Sequence, residues 1–366
     1  MIKAIPMDML EAPLPKFEAD GHMTAAVLHG SEDLKIESID IPRLAPDEAL
    51  VRVKVALTCG TDLKVWKRGY HARMITPPAV FGHELSGVVE SLGADVSGTL
   101  HIGDRVVPSN SAPCGVCLFC RKGRSNLCED LLFNNGAYAE YIRIPGRIVR
   151  DNLLEIPPHV SFVDAAMVEP LACVLRGIDE TGIRPGDTTV LIGCGPIGLK
   201  FIRMLACRGV NVIALGKRPS QIKAAEKMGA RAAFDVTTLA DAVHTVRRLT
   251  EGGRGADSVI EAVGLPITWE WAVQMVRCGG TVNLFGGCPR GAAVHFDPTA
   301  LHYSEITIKS TFHHTPRFIR EALASIARGE ISANEFVNAE IPLRELPSMF
   351  EHMKNRNGEM KVAVIP

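Results

Sequence analysis

The sequence has no excess of charge of either sign. Forty basic side chains stand against forty-one acidic ones, which gives a formal net charge of -1. Nucleic acids and anionic membranes attract proteins through a broad positive field, and this chain provides none. We therefore expect neither nucleic acid nor membrane as a partner, and we expect a small-molecule substrate that is recognised by a local site.

A long apolar run and a hydrophobic leader are also missing. The most apolar stretch, 188–207, is interrupted by Lys200 and Arg203, so we expect no membrane-spanning helix. Residues 1–22 carry four acidic side chains and no apolar segment of the kind found in signal peptides. The expected compartment is therefore the cytoplasm, where thiols stay reduced.

Two domains are expected, because 366 residues exceed one hydrophobic core of ordinary size. From about residue 23, short β-branched or alternating runs such as Ala137–Ile144 are separated by glycine and proline, which indicates a β-rich domain. From about residue 162, apolar strands alternate with helical segments, as in a parallel sheet covered on both faces. A helix over Arg317–Ala327 and a strand over Lys361–Ile365 are predicted to return to the first domain. Residues 1–22, without clear periodicity, are predicted to be an extension.

Four cysteines follow the spacing C-x2-C-x2-C-x7-C. This spacing lets four thiolates close around one tetrahedral Zn2+. The alternative is two disulfides in a secreted domain, but no leader is evident and the six other cysteines are scattered without paired spacing. We therefore predict a structural zinc lobe over about residues 110–130, with the ligands Cys114, Cys117, Cys120 and Cys128.

A glycine-rich loop, G-x-G-x-x-G, follows the apolar run 188–192. It lies between a predicted strand and a predicted helix, which is the context in which this motif binds the pyrophosphate of a dinucleotide. The helix N-terminus adds backbone N–H donors and a positive dipole. The predicted cofactor-binding residues lie in this loop and after three later strand ends: Gly193, Gly195, Pro196, Ile197, Gly198, Gly216, Lys217, Arg218, Ala262, Val263, Gly264, Phe285 and Gly286.

The end of the second strand of this domain favours NADP(H) over NAD(H). An acidic residue at this point would bind the ribose 2′-OH of NAD, but the chain has Gly216, Lys217 and Arg218. A Lys–Arg pair can bind a 2′-phosphate through charge-assisted hydrogen bonds. The alternative is that both basic side chains belong to a solvated turn.

Further metal-ligand residue types are spread along the chain. Cys59 follows a predicted strand, His83 and Glu84 follow an apolar run, and Glu169 lies within the apolar run 165–175. One thiolate, one imidazole and one carboxylate would leave the fourth position of Zn2+ open, as a catalytic zinc site requires. A glutamate in an apolar run is costly unless it is paired or binds a metal. Each residue alone has an ordinary explanation, as a core residue or half of an ion pair.

Together these motifs resemble the zinc-dependent medium-chain dehydrogenases of the alcohol dehydrogenase superfamily, nearest to the sorbitol and threonine dehydrogenase branch. The resemblance covers roughly residues 23–366. It implies an α/β protein in which a Rossmann domain with a doubly wound parallel sheet, residues 169–312, is inserted into a GroES-like β-rich catalytic domain, residues 23–168 and 313–366. It also implies two Zn2+ per chain and a homodimer or homotetramer. The motifs that carry it are Cys59-Gly60-Thr61-Asp62, Gly82-His83-Glu84, Glu169-Pro170, the four-cysteine lobe and the glycine-rich loop.

The resemblance implies roles for individual residues. Cys59, His83 and Glu169 match ligands of the catalytic zinc, and Glu84 matches either a second-sphere residue or an exchanging ligand. Thr61 matches the hydroxyl that takes the proton of the alcohol. Relatives often carry a histidine where this chain has Lys64, and a protonated lysine is a poor proton acceptor. Lys64 therefore either binds an anionic group or lies on a solvated basic face, with the proton leaving by another route.

His313 and His314 stand directly before Thr315 and Pro316. A threonine followed by proline is typical of a helix start, with the threonine as N-cap. The two histidines either line the cleft near the cofactor or only lead into this helix.

The expected function is hydride transfer between NADP(H) and a secondary alcohol or ketone, such as a polyol, a sugar derivative or a hydroxy amino acid. A simple alcohol or aldehyde reductase is the alternative among enzymes. A dinucleotide-binding scaffold or regulatory protein that kept only the structural zinc is the alternative outside enzymes.

Overall fold

A computed structural model describes residues 21–71, 73–354 and 361–366, so most of the predicted extension over residues 1–22 lies outside the described residues. No helix in these ranges is long and apolar enough to cross a membrane. The strands are β1 His22–Gly30, β2 Asp33–Asp40, β3 Ala49–Leu57, β4 Ala79–Val80, β5 Leu85–Leu92, β6 Arg105–Pro108, β7 Ser111–Ala112, β8 Leu132–Phe133, β9 Tyr141–Ile144, β10 Leu153–Glu155, β11 Thr188–Ile192, β12 Asn211–Gly216, β13 Ala232–Asp235, β14 Ala256–Glu261, β15 Val276–Leu284, β16 Thr307–Ser310, β17 Val337–Pro342 and β18 Lys361–Ile365. The α-helices are α1 Gly60–Arg68, α2 Leu118–Arg121, α3 Gly146–Asn152, α4 Phe162–Ala165, α5 Val168–Thr181, α6 Pro196–Cys207, α7 Pro219–Lys227, α8 Ala242–Arg248, α9 Pro266–Met275, α10 Pro298–Tyr303, α11 Pro316–Ala327 and α12 Leu346–Lys354.

The first part of the chain is β-rich. Its main sheet has the order β10-β6-β5-β3-β18-β17, with β9 also paired to β3, and a three-stranded sheet has the order β2-β1-β4. The last strand, β18, pairs antiparallel with β3, where Ala363 lies opposite Leu57. The end of the chain therefore completes the sheet that the first part of the chain begins. Buried aromatic side chains fill the core between these elements, including Trp66, Phe81 and Phe350.

The middle of the chain forms a six-stranded parallel sheet of order β13-β12-β11-β14-β15-β16. Leu191 of β11 packs into one core with α5, α6 and α11, whereas Val190 and Ile192 pack into a second core with α8 and α9. Alternate side chains of a central strand thus enter cores on opposite faces, as in a doubly wound sheet. The strand order reverses between β11 and β14, and ligands bind at the carboxyl ends of strands next to such a reversal. The predicted fold class is confirmed.

Some predicted elements differ from the observed ones. The predicted strand Ala137–Ile144 is regular only over β9, because the chain changes sheets in between. Ala139 forms a bridge to Ala25 of the three-stranded sheet, and the N–H of Ala26 donates to the carbonyl of Tyr138 at 2.8 Å, whereas β9 pairs with β3. The elements β2, α1, β17 and α12 were not predicted, because their sequences mix polar and apolar residues without a long regular pattern.

Lys200 on α6 is an unexpected core residue. It is fully buried, its Nζ has no hydrogen-bond partner, and this atom lies 4.2 Å from the centroid of the Phe336 ring. Burial, helped by the charge of Lys361, lowers the pKa of Lys200 to about 7. Contact with an aromatic face offsets only part of the cost of burying an amine.

Lys200→Met should therefore raise the free energy of unfolding by about 1–3 kcal/mol at neutral pH. Since the folded protein holds this proton less tightly than the unfolded chain, the cost is complete below the folded pKa of about 7 and fades as pH rises toward 10.5. Urea denaturation near pH 7 and again near pH 10.5 measures the difference in the free energy of unfolding between Lys200→Met and the original protein. The exposed Lys223 provides a matched control, Lys223→Met, for which we expect a change within about 0.5 kcal/mol. Equal effects of the two substitutions would contradict the prediction.

Candidate active site

The four cysteines of the predicted lobe lie together. The sulfur atoms of Cys114, Cys117, Cys120 and Cys128 are all within 4.8 Å of one another, and all ten cysteines of the chain are free thiols. Backbone N–H groups face these sulfurs: that of Cys114 donates to Cys128 at 3.2 Å and that of Cys117 donates to Cys114 at 3.4 Å. Backbone hydrogen bonds also lower the pKa of the Cys117 thiol to about 6. Burial acts in the opposite direction at two other cysteines of the lobe, where it raises the pKa of Cys120 to about 12 and also raises that of Cys128. The convergence of four sulfur atoms fits a tetrahedral zinc ion, whose charge would stabilise all four thiolates.

A second donor cluster consists of Cys59, His83 and Glu84, whose ligand atoms lie within 4.8 Å of one another. Cys59 is the N-cap of α1, at the end of β3, and its Sγ accepts the N–H of Thr61 at 3.4 Å. His83 and Glu84 lead into β5 after Gly82, which has a φ of 92°. A Cβ on Gly82 would lie 2.6 Å from the Tyr138 ring, so only glycine fits this turn. A thiolate, an imidazole and a carboxylate fit Zn2+.

Asp62 fixes the orientation of His83. Its Oδ1 lies 2.8 Å from Nδ1 of His83, and its Oδ2 accepts the hydroxyl of Tyr138 at 2.7 Å. Burial opposes a charge on His83, but Asp62 and the adjacent Cys59 raise the pKa of the imidazole well above its usual value. With Nδ1 held by Asp62, the other ring nitrogen is left for a cation. Carboxylates in this position orient ligating histidines and make them more basic.

Glu84 is buried, and it lies beside Lys361 as well as beside the other two residues of the cluster. It forms a short ion pair with Lys361 through Oε2, and both side chains are almost completely buried. Lys361 Nζ also donates to the carbonyl of Thr58 at 2.7 Å. Burial opposes the charge of Lys361, but Glu84 and Cys59 raise its pKa above the usual 10.5. The second oxygen of Glu84, Oε1, is buried without a partner, so it is available to a cation.

Glu169, the other candidate carboxylate ligand, lies in a neighbouring donor cluster. It stands in the first turn of α5 and is buried, but its carboxylate clusters with Cys173 and His313 rather than with Cys59 and His83. The amide of Asn110 donates to its Oε1 at 3.2 Å. Burial raises the pKa of Glu169 to about 7, against the opposing influence of His83. The structure therefore brings together Cys59, His83 and Glu84 and sets Glu169 in a neighbouring cluster.

His313 and His314 both belong to this region. Ring nitrogen Nε2 of His313 lies 2.6 Å from the hydroxyl of Ser111, and Nε2 of His314 lies 2.9 Å from Oδ1 of Asn110. Burial lowers the pKa of His313 to about 3, so its ring is neutral. Helix α11 begins at Pro316 with Thr315 at the N-cap position, although the Thr315 side chain makes no capping hydrogen bond. The histidines thus precede the helix and also enter the site.

The glycine-rich loop joins β11 to α6. Gly193 has a φ of 108°, and a Cβ on Gly198 would lie 1.8 Å from the carbonyl oxygen of Gly193. A Cβ on Gly195, by contrast, would meet nothing within 4 Å, so this side of the loop is open. Pro196 and Ile197 open the helix, and the N-cap Gly195 has no side chain to accept the N–H groups of the first turn. The loop therefore offers room and donors for a pyrophosphate.

The other predicted cofactor residues lie at neighbouring strand ends. Lys217 and Arg218 follow β12; Lys217 is exposed and Arg218 is half-buried. After β14, the N–H groups of Val263 and Gly264 donate to Oε1 of Glu261 at 2.8 and 2.9 Å, which fixes the turn Ala262–Gly264. Phe285 and Gly286 follow β15, which is the next strand of the sheet. Lys64, predicted near the catalytic site, is exposed on α1.

Comparison with known proteins identifies both halves of the chain. Residues 45–157 match the family model "Alcohol dehydrogenase GroES-like domain", and residues 196–328 match "Zinc-binding dehydrogenase". Sorbitol dehydrogenase of Bacillus subtilis (strain 168) is 28% identical over 353 residues, 94% of this chain and 98% of that protein. A probable D-xylulose reductase A of Arthroderma otae (strain ATCC MYA-4605 / CBS 113480) is 31% identical over 343 residues, 91% of this chain and 94% of that protein. The crystal structure of a protein described as a zinc-binding dehydrogenase, from Sinorhizobium meliloti 1021 and bound to NADP, has a TM-score of 0.86 at 31% identity, with 94% of this chain and 100% of that chain covered.

Fold, donor clusters and relatives define an alcohol oxidoreductase that acts on CH–OH groups with zinc and a nicotinamide cofactor. The chain belongs to the zinc-dependent medium-chain dehydrogenases and lies near their sorbitol dehydrogenase branch. The prediction of an enzyme is confirmed.

Several residues of the site were not identified from the sequence. Asp62 was noticed only as part of a motif, and Lys361 only as the start of a strand. Cys173 carried a usable signal, because it lies four residues after Glu169 in the apolar run 165–175, and a helix there places both residues on one face. Asn110 and Lys361 carried no such signal, since their partners Glu169 and Glu84 are distant from them in sequence.

Proposed function

We propose that the protein transfers hydride between NADP(H) and a secondary alcohol or ketone of the polyol or sugar-derivative type. The observation that carries the proposal is the Cys59–His83–Glu84 cluster, with Cys59 half-buried and the other two residues buried, whose donor set fits a zinc ion with an open position. The relatives named for sorbitol and D-xylulose support a polyol substrate. A hydroxy amino acid has no comparable support among these relatives.

Each residue of the cluster has a proposed role. When bound, Zn2+ supplies a Lewis acid for the substrate oxygen, and the dinucleotide supplies or accepts the hydride. Cys59 and His83 hold the ion, with Asp62 orienting His83 and Glu84 or Glu169 as the carboxylate ligand. Thr61, half-buried in the first turn of α1, takes the proton of the alcohol. The solvent exposure of Lys64 supports a route for this proton that does not involve it.

The substrate class is tested by measuring the absorbance of NADPH with a panel of D-sorbitol, xylitol, threonine and simple primary alcohols. We expect kcat/KM to be highest for a polyol, since adjacent hydroxyls add hydrogen bonds that a simple alcohol lacks. The highest value with a primary alcohol would favour a simple alcohol or aldehyde reductase instead.

NADP(H) is the proposed cofactor because Lys217 and Arg218 stand where an acidic residue would bind the ribose of NAD. We expect Arg218→Ala to lower kcat/KM for NADP by about 10–100-fold, the loss typical of a hydrogen bond to a charged group. The value for NAD should change by less than about threefold, because NAD has no 2′-phosphate. Lys223→Ala removes an exposed lysine of α7 and provides the control. A wild-type kcat/KM that is higher with NAD than with NADP would contradict the proposed specificity.

The proposal also covers the domain bounds, the zinc content and the oligomeric state. The catalytic domain comprises residues 23–168 and 313–366, and the Rossmann domain comprises residues 169–312. The four-cysteine lobe and the catalytic cluster each hold one zinc ion. Within the described residues β16 is the last strand of the parallel sheet, so its outer edge is open to a second copy in a homodimer or homotetramer.

A further inference from the structure

Three turns meet at the carboxyl edge of the parallel sheet, where the dinucleotide is proposed to bind. They are the glycine-rich loop after β11, the turn Ala262–Gly264 after β14 and the turn after β15. The N–H of Ala262 donates to the carbonyl of Ile192 at 2.8 Å, which joins the second turn to the strand that precedes the loop. A Cβ on Gly193 would lie 2.7 Å from Cγ2 of Val263. The first two turns are therefore in close contact.

Glu261, the last residue of β14, is bonded to both the second and the third turn. Its backbone carbonyl accepts the N–H groups of Phe285 and Gly286 at 2.9 and 2.8 Å. Its Oε1 accepts two N–H groups of the turn Ala262–Gly264 at 2.8 and 2.9 Å. The same oxygen lies 2.7 Å from the hydroxyl oxygen of Thr268, in the first turn of α9. One residue thus fixes two turns and the start of a helix.

The packing around the carboxylate of Glu261 is tight. A Cβ on Gly286 would lie 2.7 Å from its Oε2 and 2.5 Å from the backbone nitrogen of Gly264, and the indole N–H of Trp269 donates to the carbonyl of Gly286 at 2.9 Å. Glu261 is fully buried, and its Oε2 has no hydrogen-bond partner among the described residues. Burial of this oxygen opposes folding and raises the pKa of Glu261. What the carboxylate supplies at this cost is the fixed geometry of the two turns.

The position of Glu261 in the sheet relates it to one half of the dinucleotide. A Rossmann domain consists of two mononucleotide-binding halves that meet where the strand order reverses. β12 belongs to the first half, and Lys217 and Arg218 at its end are proposed to bind the phosphate on the adenosine ribose. β14 and β15 lie across the reversal. The turns that Glu261 fixes therefore belong to the half that takes the nicotinamide nucleotide.

We propose that Glu261 is a positioning residue for the nicotinamide half of the cofactor, because it holds the turns after β14 and β15 in the arrangement that places this half for hydride transfer. The inference rests on the proposed binding of the dinucleotide at these strand ends. A small misplacement of a bound reactant slows a reaction by orders of magnitude. The adenosine half is bound by other turns, so its affinity is independent of Glu261. The competing role is a general one, in which Glu261 only stabilises the sheet.

Binding of the whole cofactor and of its adenosine half separates the two roles. Isothermal titration calorimetry of the full-length protein gives the Kd of NADPH and that of adenosine 2′,5′-bisphosphate, which lacks the nicotinamide nucleotide. Glu261→Met leaves the turn after β14 and Thr268 without their acceptor. We expect the Kd of NADPH to rise about 10–100-fold, the range for lost hydrogen bonds to a charged group, and that of the bisphosphate to change less than about threefold. An equal rise for both ligands, or no rise for either, would overturn the proposal.

Two further variants distinguish positioning from stability. Glu261→Gln keeps an oxygen acceptor for the turn after β14, so the Kd of NADPH should lie within about fivefold of the original value. Asp257 provides the matched control near the other end of β14, where it accepts the N–H of Thr188 at 2.8 Å and pairs with Arg277 at 2.7 Å. Asp257→Leu should weaken the sheet and leave both Kd values unchanged. A rise in the Kd of NADPH as large as that in Glu261→Met would assign the effect to the stability of the sheet.

The test also keeps this inference separate from the proposed cofactor preference. If the original protein binds NADH more tightly than NADPH, the preference for NADP(H) is wrong, and the same comparison with NADH and 5′-AMP tests the role of Glu261. Should Glu261→Met fail to fold, Thr268→Val removes only one contact of Oε1. We expect this variant to raise the Kd of the whole cofactor alone, by about threefold to tenfold. An unchanged Kd in Thr268→Val would then overturn the inference.

Discussion

Lys361→Met should lower the free energy of unfolding by about 3–5 kcal/mol, because it leaves the carboxylate of Glu84 buried without its cation. The side chains of Lys361 and Glu84 are 3% and 0% exposed, so water cannot replace the lost partner. The substitution also removes the hydrogen bond from Nζ to the carbonyl of Thr58. Urea denaturation measures the change through the shift in midpoint, after chelation has removed any ion from the Cys59–His83–Glu84 cluster, so that no bound ion replaces the cation of Lys361.

The double variant Lys361→Met/Glu84→Gln tests whether the unpaired charge causes this loss. With both charges removed, we expect part of the stability to return, because a neutral amide costs less to bury than a carboxylate. The pKa of Lys361 is raised, so the contribution of the pair is complete below the usual value of 10.5 and is lost only as pH rises through the folded value. A loss below about 1 kcal/mol in Lys361→Met would mean that the ion pair contributes no more than an exposed one.

Those parts of the site that depend on neighbours in sequence could be predicted. The glycine-rich loop needs a strand, a turn and a helix in succession, and all three lie within residues 188–207. The four cysteines of the lobe lie within one short segment, and their sulfur atoms do converge. The fold class followed from the alternation of strand and helix after about residue 162, because a parallel sheet requires a crossover between its strands.

Those parts that depend on distant contacts could not be predicted. The partner of Glu84 is 277 residues away, and it meets Glu84 only because β18 pairs with β3 at the end of the chain. The carboxylate of Glu169 joins Cys173 and His313, where Asn110 donates a hydrogen bond to it from another part of the fold. The family resemblance grouped both Glu169 and Glu84 with Cys59 and His83 and left open which carboxylate is the ligand, since nothing local indicates the direction of either side chain. The sequence left open whether His313 and His314 line the cleft or only lead into a helix. The signal for a helix start, Thr315-Pro316, does not show which part of the fold the preceding residues contact.

Thr61→Val should lower kcat for alcohol oxidation by about 10²–10⁴-fold, the range over which a positioned proton acceptor accelerates such reactions. Valine matches threonine in shape but has no hydroxyl, so the proton of the alcohol loses its proposed acceptor. The contact between Thr61 and Cys59 is made by the backbone N–H of Thr61, at 3.4 Å from Sγ, and it survives the substitution. Zinc content should therefore stay unchanged, and KM should change less than kcat.

Thr61→Ser is the matched variant, because it restores a hydroxyl at the same position with one methyl group fewer. We expect it to retain kcat within about tenfold of the original protein, since the proton acceptor is still present. Initial rates of polyol oxidation with NADP over a range of pH distinguish a proton-transfer role from a packing role. A packing role would reduce the rates of the serine variant more than those of the valine variant, because serine leaves a gap that valine fills. If Thr61→Val instead kept more than about a tenth of the original rate across that range, the proton would leave the alcohol by a route independent of Thr61.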